Sequence, residues 1–399
     1  MMTKRVAILT GGGDVPGLNM CLKSLVYRLI DLGFEPIGVR MGWEGLISYN
    51  PLDPSTYSES FIELTKNIVR PIDRTPGSFL HSSRVDVRSV PANKVPDFLK
   101  QQGAEYQDLT DHVQEVVKRL GYRALVVIGD DDMLHVAAHL SQQGMPVIGI
   151  PKTIHNNIHG TDYTLGFSTG LARGVAFVHE LRALAGSREQ IIVVETFAAK
   201  SGYSTLLMGL LSGADRVVIP EVPYDPEHLA ALLLQDKRET PANYAVAMIC
   251  DGSYVQEDKV EQYADVIAHN IGSTQVSSKY LGLGEQDGNP LVGSGMILTE
   301  LLTHVTHQEV FQQELTYLLR TGMPDGQDLL GALNFAFTAA ELVEQGVYGR
   351  MTAFNKNAMW THVNLDEARE GVKTVDVETW YDRENYKPNL KLIWSVDRQ

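Results

Sequence analysis

Short apolar runs that end in glycine, proline or aspartate alternate along this chain with longer segments of helical period. Strands buried on both faces read as continuous apolar runs, and crossover helices separate the strands of a parallel sheet. The alternation therefore predicts an α/β protein with mostly parallel sheets. The predicted strands span 6–9, 124–128, 147–150, 191–194, 217–219 and 245–249. The predicted helices span 18–32, 132–141, 172–185, 206–211 and 329–344.

Length and charge narrow the class of protein. With 399 residues, 44% of them apolar, the chain can bury one large core or two moderate ones, and we expect two domains. A net charge of −15 disfavours binding to nucleic acids or anionic membranes. Cys21 and Cys250 stand among apolar neighbours, as reduced core thiols do. No signal-type stretch or membrane-spanning run is found, so we expect a cytoplasmic protein.

Ligands of open α/β sheets bind where the strands end, which points to residues 10–19, 129–134 and 151–163. The first segment, T-G-G-G-D-V-P-G-L-N, follows a strand and opens a helix, so its backbone N–H groups could face an anion. A tight connection without a ligand is the alternative. The second segment, G-D-D-D-M-L, offers carboxylates that can hold Mg²⁺. Its alternative is an acidic helix N-terminus.

Residues 151–167 read P-K-T-I-H-N-N-I-H-G-T-D-Y-T-L-G-F. This run resembles the active-site segment P-K-T-I-D-N-D-I-x-G-T-D-Y-T-x-G-F of the phosphofructokinase family. Residues 12–19 are similar to its G-G-D-A-P-G-M-N, residues 77–84 to G-T-x-L-G-[ST]-[ST]-R, and residues 129–132 to G-G-D-D, with Asp130 in place of a glycine. Residues 220–223 match a P-E-x-P turn, and residues 317–324 resemble Y-L-Q-R-G-G-x-P, followed by Asp328. The similarity spans nearly the whole chain and is closest to the pyrophosphate-dependent type.

The resemblance implies two three-layer α/β/α domains with the active cleft between them. Residues 1–166 with 320–371 would bind the phosphate donor, and residues 167–319 with 372–399 the sugar phosphate. Asp131 would hold Mg²⁺, and Asp132 with Lys152 would favour pyrophosphate over ATP. The remaining donor contacts implied are Gly12, Gly13 and Arg84. A solvated loop cation is the alternative for Lys152.

The acceptor side departs from the family pattern. His155 stands where the family has its base, and Asn157 replaces a second aspartate. The family's M-G-R reads Phe197-Ala198-Ala199, with Lys200 one position later, and two arginines that reach across a subunit boundary align with Gln190 and Phe311. The residues that would still serve the acceptor are Thr153, Asp251, Tyr317 and Arg320. Thr153 and Lys152 would act with His155 in catalysis.

Two functions remain open from the sequence. The first is a glycolytic phosphotransferase that moves a phosphoryl group from pyrophosphate, or less readily ATP, to fructose 6-phosphate or a related acceptor. The second is an impaired paralogue that binds phosphorylated metabolites as a regulatory or structural subunit. A nucleotide kinase is disfavoured by the P-K-T-I and Y-L-x-R segments. Family members are usually homodimers or homotetramers. The histidine pairs His135/His139 and His155/His159 have metal-ligand spacing, although partly exposed histidines are the more common reading.

Overall fold

The computed structural model describes residues 4–198, 200–271, 293–355, 357 and 359–389. The chain divides into two compact units, Met1–Gly170 with Arg320–Val372 and Leu171–Leu319 with Lys373–Gln399. The donor and acceptor roles predicted for the two domains stay predictions, and the predicted segments 1–3 and 390–399 lie outside the described residues.

In chain order the strands are β1 Arg5–Thr10, β2 Glu35–Val39, β3 Phe61–Glu63, β4 Val90–Pro91, β5 Tyr106–Gln107, β6 Ala124–Gly129, β7 Val147–Pro151, β8 Ile191–Thr196, β9 Arg216–Val218, β10 Ala245–Cys250, β11 Val310–Glu314, β12 Arg350–Asn355, β13 Met359–Asn364, β14 Tyr381–Asp382 and β15 Lys387–Pro388.

The α-helices within the described ranges are Leu18–Asp31, Trp43–Ser48, Tyr57–Ser60, Lys66–Val69, Thr110–Leu120, Asp131–Gln142, Phe167–Arg188, Tyr203–Ser212, Pro226–Glu239, Glu257–Gln262, Ala264–Ile271, Ser294–Thr306, Gly326–Gln345 and Val377–Trp380. Every predicted strand and helix corresponds to one of these elements. Four longer strands, β2, β11, β12 and β13, were not predicted. Within the described ranges, no helix combines the length and the apolar character needed to cross a membrane.

The first unit is built on a seven-stranded sheet in the order β13-β12-β7-β6-β1-β2-β3. The strands from β12 to β2 run parallel, and the two edge strands are antiparallel to their neighbours. The apolar residues of β1 and β6 are fully buried along their length, so both faces of the sheet are covered. Helix Leu18–Asp31 packs against Gly326–Gln345 in this unit. The predicted α/β class with mostly parallel sheets is therefore confirmed.

The register of three central strands places their carboxyl ends side by side. Thr10 of β1 pairs with Ile128 of β6, and Gly129 pairs with Pro151 of β7. The turns that follow these strands therefore begin at the same edge of the sheet. These turns are the three segments in which the sequence predicts ligand binding.

The second unit contains a four-stranded parallel sheet in the order β11-β8-β10-β9. All residues of β8 and β10 are buried. Helix Ser294–Thr306 packs against β8, β10 and β11, and helix Pro226–Glu239 packs against β10. Asp251 directly follows β10, and Tyr317 follows β11.

Candidate active site

Backbone hydrogen bonds join the three turns of the first unit. Gly11 N donates to Ile128 O at 3.1 Å, and Lys152 N donates to Gly129 O at 2.9 Å. The glycine-rich turn is also tied to the predicted phosphate-binding segment 77–84, because Gly12 N donates to Ser83 O at 3.2 Å. These contacts bring the sequence-predicted donor residues of the first unit to one edge of the sheet.

Two glycines of the first turn have no room for a side chain. Gly12 has a φ of +77°, and a Cβ there would fall 1.8 Å from the Oδ2 atom of Asp130. A Cβ on Gly13 would fall 2.2 Å from Arg320 Nη1. The predicted donor contacts Gly12 and Gly13 therefore lie against a carboxylate and a guanidinium, within contact distance of the backbone.

The three consecutive aspartates open helix Asp131–Gln142. Asp130 is its N-cap: Met133 N donates to Asp130 Oδ1 at 3.4 Å, and Gly13 N donates to Asp130 Oδ2 at 3.2 Å. Burial raises the pKa of Asp131, and the Asp130 charge adds to that effect. The pKa of Asp132 is raised by burial and then by Asp131 and Asp130. Both the capping role and the carboxylate cluster are thus present.

A bound cation would offset the repulsion among these carboxylates, so the predicted metal residue Asp131 fits Mg²⁺ electrostatically. Across the described ranges, no three His, Cys, Asp or Glu side chains form a metal site by themselves. Mg²⁺ commonly keeps water and binds through one or two carboxylates together with substrate phosphates, which agrees with a single strong protein ligand.

Lys152 is buried, with 1% of its surface exposed, so the solvated-cation alternative is wrong. Its ammonium Nζ donates to the carbonyl oxygen of Gly13 in the glycine-rich turn. Burial lowers its pKa to about 8, against an opposing effect of Asp130. The residue therefore carries a desolvated ammonium in contact with the predicted phosphate-binding turn.

His155 lies on the turn after β7 and is 8% exposed. Its backbone N donates to Thr153 Oγ1 at 3.2 Å, which places the two predicted catalytic residues together. Arg320 Nη2 lies 3.5 Å from His155 Nε2, and because a guanidinium only donates, this contact requires an unprotonated Nε2. Burial holds the pKa of His155 well below its usual value, and Arg320 and Arg84 lower it further.

Arg84 is exposed and adds a positive charge that acts on Asp132, Lys152 and His155. With Arg320 and the Lys152 ammonium, the site holds three cationic groups near a neutral imidazole. This combination can attract a multiply charged anion, since each cation would be offset by phosphate oxygens.

The other predicted acceptor residues belong to the second unit. Asp251 Oδ1 accepts a hydrogen bond from Ala198 N at 2.8 Å, and Tyr317 is 75% exposed. Gln190 Nε2 donates to Glu309 Oε2 at 2.9 Å, and Lys200 is exposed, while Ala199 lies outside the described residues. The part that these residues play in acceptor binding stays a prediction.

The histidines of the two pairs contact other groups of the protein. His135 Nε2 is hydrogen-bonded to Ala368 O at 2.7 Å, while His139 Nε2 contacts Gln143. His159 Nδ1 lies 4.0 Å from Glu370. The reading of these side chains as partly exposed histidines is favoured, except at His155, which is buried.

One anchoring residue was not assigned a role from the sequence. Asp328 is fully buried in the first turn of helix Gly326–Gln345 and accepts hydrogen bonds from Tyr163 Oη, Gly166 N and both Thr169 N and Oγ1. It fixes the end of the active-site segment to the helix. The motif match at Asp328 was visible in the sequence, but its bonding partners lie some 160 positions away.

The phosphofructokinase family profile matches residues 5–343. The chain belongs to the phosphofructokinase family. Its relatives include the ATP-dependent 6-phosphofructokinase 3 of Streptomyces coelicolor, 30% identical over 375 residues, or 93% of this chain and 96% of the relative. The pyrophosphate–fructose 6-phosphate 1-phosphotransferase of Dictyoglomus thermophilum is 31% identical over 367 residues, or 90% and 92%. The family assignment is confirmed, while relatives of this similarity carry both donor names.

Solved phosphofructokinase structures share the fold. The pyrophosphate-dependent phosphofructokinase from Marinobacter aquaeolei matches with a TM-score of 0.71 at 16% identity, covering 97% of this chain and 89% of that chain. The one from Nitrosospira multiformis matches with a TM-score of 0.72 at 15% identity, covering 96% and 89%. At these identities the likeness supports the phosphofructokinase-like fold alone.

Proposed function

We propose that this phosphofructokinase-family protein transfers a phosphoryl group from pyrophosphate to a hydroxyl of fructose 6-phosphate or a related acceptor, with Mg²⁺. The observation that carries the proposal is the buried ammonium of Lys152, bonded to the Gly13 carbonyl below the glycine-rich turn. A compact charge suits a compact diphosphate. The carboxylate of Asp132 would obstruct the space of a larger nucleotide, which favours pyrophosphate over ATP.

The proposed donor roles are supported by the contacts among the three turns of the first unit. Gly12, Gly13 and Arg84 would contact donor phosphates, and Asp131 would hold Mg²⁺. The metal would supply charge neutralisation at the phosphate oxygens. Thr153, Asp251, Tyr317 and Arg320 would hold the acceptor. The acceptor-binding roles rest on the family resemblance.

The reaction would form a bond between the acceptor oxygen and phosphorus while the bridging P–O bond of pyrophosphate breaks and orthophosphate leaves. His155 would take the hydroxyl proton at Nε2, which requires Arg320 to release that atom. A bound anion would draw Arg320 and offset Arg84, which would remove their part of the fall in the His155 pKa, while the larger effect of burial would remain. Donor binding would thereby make His155 a stronger base than it is without the donor.

The competing proposal is a paralogue that binds phosphorylated metabolites without turnover and serves as a regulatory or structural subunit. Two features favour it. Burial holds the pKa of His155 well below its usual value, which weakens it as a base, and the family resemblance aligns arginines with Gln190, Phe311 and Ala199. Each lost charge-assisted contact removes roughly 1.5–3 kcal/mol of phosphate binding.

A coupled assay separates the two. Turnover of fructose 6-phosphate with Mg²⁺ and pyrophosphate, above a metal-free control and above the same assay with ATP, is the expected result. Calorimetric binding without turnover would favour the paralogue. His155→Ala should reduce turnover by at least 100-fold, and unchanged turnover would refute the base assignment. Restored activity in His155→Asp would indicate lapsed catalysis.

We also propose domain roles, a location and an oligomeric state, which rest on the family resemblance and on the composition of the chain. The first unit would bind the donor and the second the sugar phosphate, in a cytoplasmic homodimer or homotetramer. Sedimentation equilibrium would measure the oligomeric state, and a monomer at micromolar concentration would contradict the oligomer.

A further inference from the structure

Asp130 occupies a position where the motif that this segment resembles has a glycine. Its carboxylate is partly exposed and contacts the glycine-rich turn. Gly13 N donates to Oδ2 at 3.2 Å, and the same oxygen lies against Gly12, at the place where a Cβ would otherwise stand. An internal anion therefore sits in the glycine-rich turn.

The contact is more than helix capping. Capping needs one side-chain oxygen, and Oδ1 supplies it at 3.4 Å from Met133 N. The second oxygen reaches across to a different turn, 117 positions earlier in the chain. There it takes up a backbone N–H of the type that glycine-rich turns offer to phosphates.

The Asp130 carboxylate also acts on the Lys152 ammonium, which contacts the same turn. Lys152 Nζ donates to Gly13 O, and Asp130 is the strongest charge that opposes the fall in the pKa of that lysine. The buried ammonium and the Gly13 N–H thus both face a negative charge supplied by the chain itself. A phosphate oxygen arriving at the turn would meet that charge and would compete for the same donor.

We propose that Asp130 is a specificity-determining residue of the donor site, whose carboxylate occupies the anion position of the glycine-rich turn and must leave before a diphosphate binds. The inference rests on the proposed function for the identity of the donor. Beyond the proposed function, the inference states that the Asp130 carboxylate competes with the donor phosphate for the turn and thereby weakens donor binding. A donor with a compact, metal-neutralised phosphate would displace the carboxylate most readily.

The test is calorimetric titration of the full chain with magnesium pyrophosphate. Asp130→Ser retains a side-chain oxygen for the helix cap but is too short and uncharged to occupy the turn. We expect it to bind at least ten-fold tighter than the wild type. Asp130→Gly should bind at least as tightly as the serine variant if it folds, which circular dichroism and thermal unfolding would establish.

The matched control is Asp225→Ser. Asp225 caps helix Pro226–Glu239 in the second unit, where it accepts hydrogen bonds from Glu227 N and His228 N. This variant loses an equivalent capping carboxylate and should bind pyrophosphate like the wild type. Binding by Asp130→Ser that is no tighter than wild type, or no detectable binding by either protein, would overturn the inference.

Turnover distinguishes this inference from the proposed function. Tighter binding in Asp130→Ser without turnover in any variant would support the inference and contradict the phosphotransferase. Turnover in the wild type together with unchanged affinity in Asp130→Ser would contradict the inference and leave the phosphotransferase standing.

Discussion

Lys152 is a residue whose burial costs stability in the absence of a ligand. Its pKa falls from the ordinary value of 10.5 to about 8, so the folded state binds fewer protons than the unfolded state between these pH values. The penalty is fully present below pH 8 and disappears as the pH rises through 10.5. A bound anion would recover this free energy, which suits a ligand-binding role better than a structural one.

We therefore predict that Lys152→Met raises the free energy of unfolding at pH 7 by about 1–3 kcal/mol, since 1.36 kcal/mol corresponds to one pKa unit. This increase in stability is reduced because methionine cannot donate to the Gly13 carbonyl. Urea unfolding at pH 7 and pH 10 checks it, and the difference between the proteins should shrink at the higher pH. The same variant should lose pyrophosphate binding by at least 100-fold. A variant less stable than wild type at pH 7 would contradict the assignment of a costly charge.

Motif spacing identified several site residues, but not the direction of their side chains. The sequence predicted that His155, Lys152 and Arg320 belong to the site, and the structure brings these three together in the first unit. The sequence also showed that Asp130 replaces a glycine of the family motif. The sequence could not show that this carboxylate turns toward Gly13, because that depends on how β1 and β6 pair over a separation of more than 100 residues.

Helix Gly326–Gln345 holds the active-site segment through one side chain. The carboxylate of Asp328 accepts four hydrogen bonds, from a phenol, two backbone N–H groups and a hydroxyl. Burial nevertheless raises its pKa, so these donors offset only part of the desolvation of the charge. The loop geometry around Gly166 and Thr169 therefore depends on this carboxylate.

Asp328→Asn should lower the free energy of unfolding by about 2–4 kcal/mol, because an amide nitrogen would face backbone donors that lose their acceptor. Tyr163→Phe removes a single donor and should cost about 1 kcal/mol. Denaturant unfolding measures both, and the double variant should lose less than the sum of the two. Asp111→Asn, on an exposed helix surface, is the control, and an equal loss there would refute the anchoring role.

Strand β8 carries a carboxyl group that favours its protonated form. Glu195 is 2% exposed, Gln312 Nε2 donates to its Oε2 at 3.0 Å, and burial raises its pKa to about 7. The folded state therefore holds a proton that the unfolded state releases between pH 4.5 and 7. The contribution of Glu195 to stability falls across that window, and the cost of the charged form is fully present above it.

Glu195→Gln should be more stable than wild type at pH 8 by on the order of 2–3 kcal/mol, and the advantage should vanish near pH 4.5. The comparison of the two proteins at each pH cancels the titration of all other groups. Glu314→Gln, an exposed carboxylate on β11, should show no such dependence. A pH-independent difference between Glu195→Gln and wild type would contradict the raised pKa.

Strands that contain a continuous apolar run were predictable from the sequence, and strands without such a run were not. Strands β1, β6, β7, β8 and β10 are almost entirely buried, and each contains a continuous apolar run. Strand β13 has no fully buried residue, and β11 has one, so neither gives such a run. Strand β2 contains Pro36 and Gly38, two residue types that are uncommon in strands, so its sequence does not indicate a strand.

At the scale of the whole molecule, the fold follows from the pattern of apolar residues along the chain, and many single substitutions leave that pattern unchanged. The residues that set the register and the core are apolar and numerous, whereas the proposed chemistry depends on a few single positions, such as Asp130 and His155. Family membership and fold could therefore be read from the sequence. The donor and the acceptor could not, because each depends on a small number of contacts.

The net charge of −15 gives a final prediction for the molecule as a whole. Self-repulsion among carboxylates destabilises the compact state more than the expanded one, and salt screens it. Raising KCl from about 20 to 300 mM at pH 8 should therefore increase the thermal unfolding midpoint. Screening of ion pairs opposes this only weakly: most are exposed and contribute little, and the buried pair Arg216–Asp236 is shielded from salt.

The matched control is the same salt increase at pH 5.5, close to the sequence pI of 5.2, where the net charge is small. The shift of the unfolding midpoint should be smaller there, because little repulsion remains to be screened. Replacing chloride by fluoride at pH 8 should give a similar shift, since screening depends on ionic strength and not on which monovalent anion is present. An equal shift at both pH values would refute self-repulsion as the cause and would indicate anion binding to the folded protein.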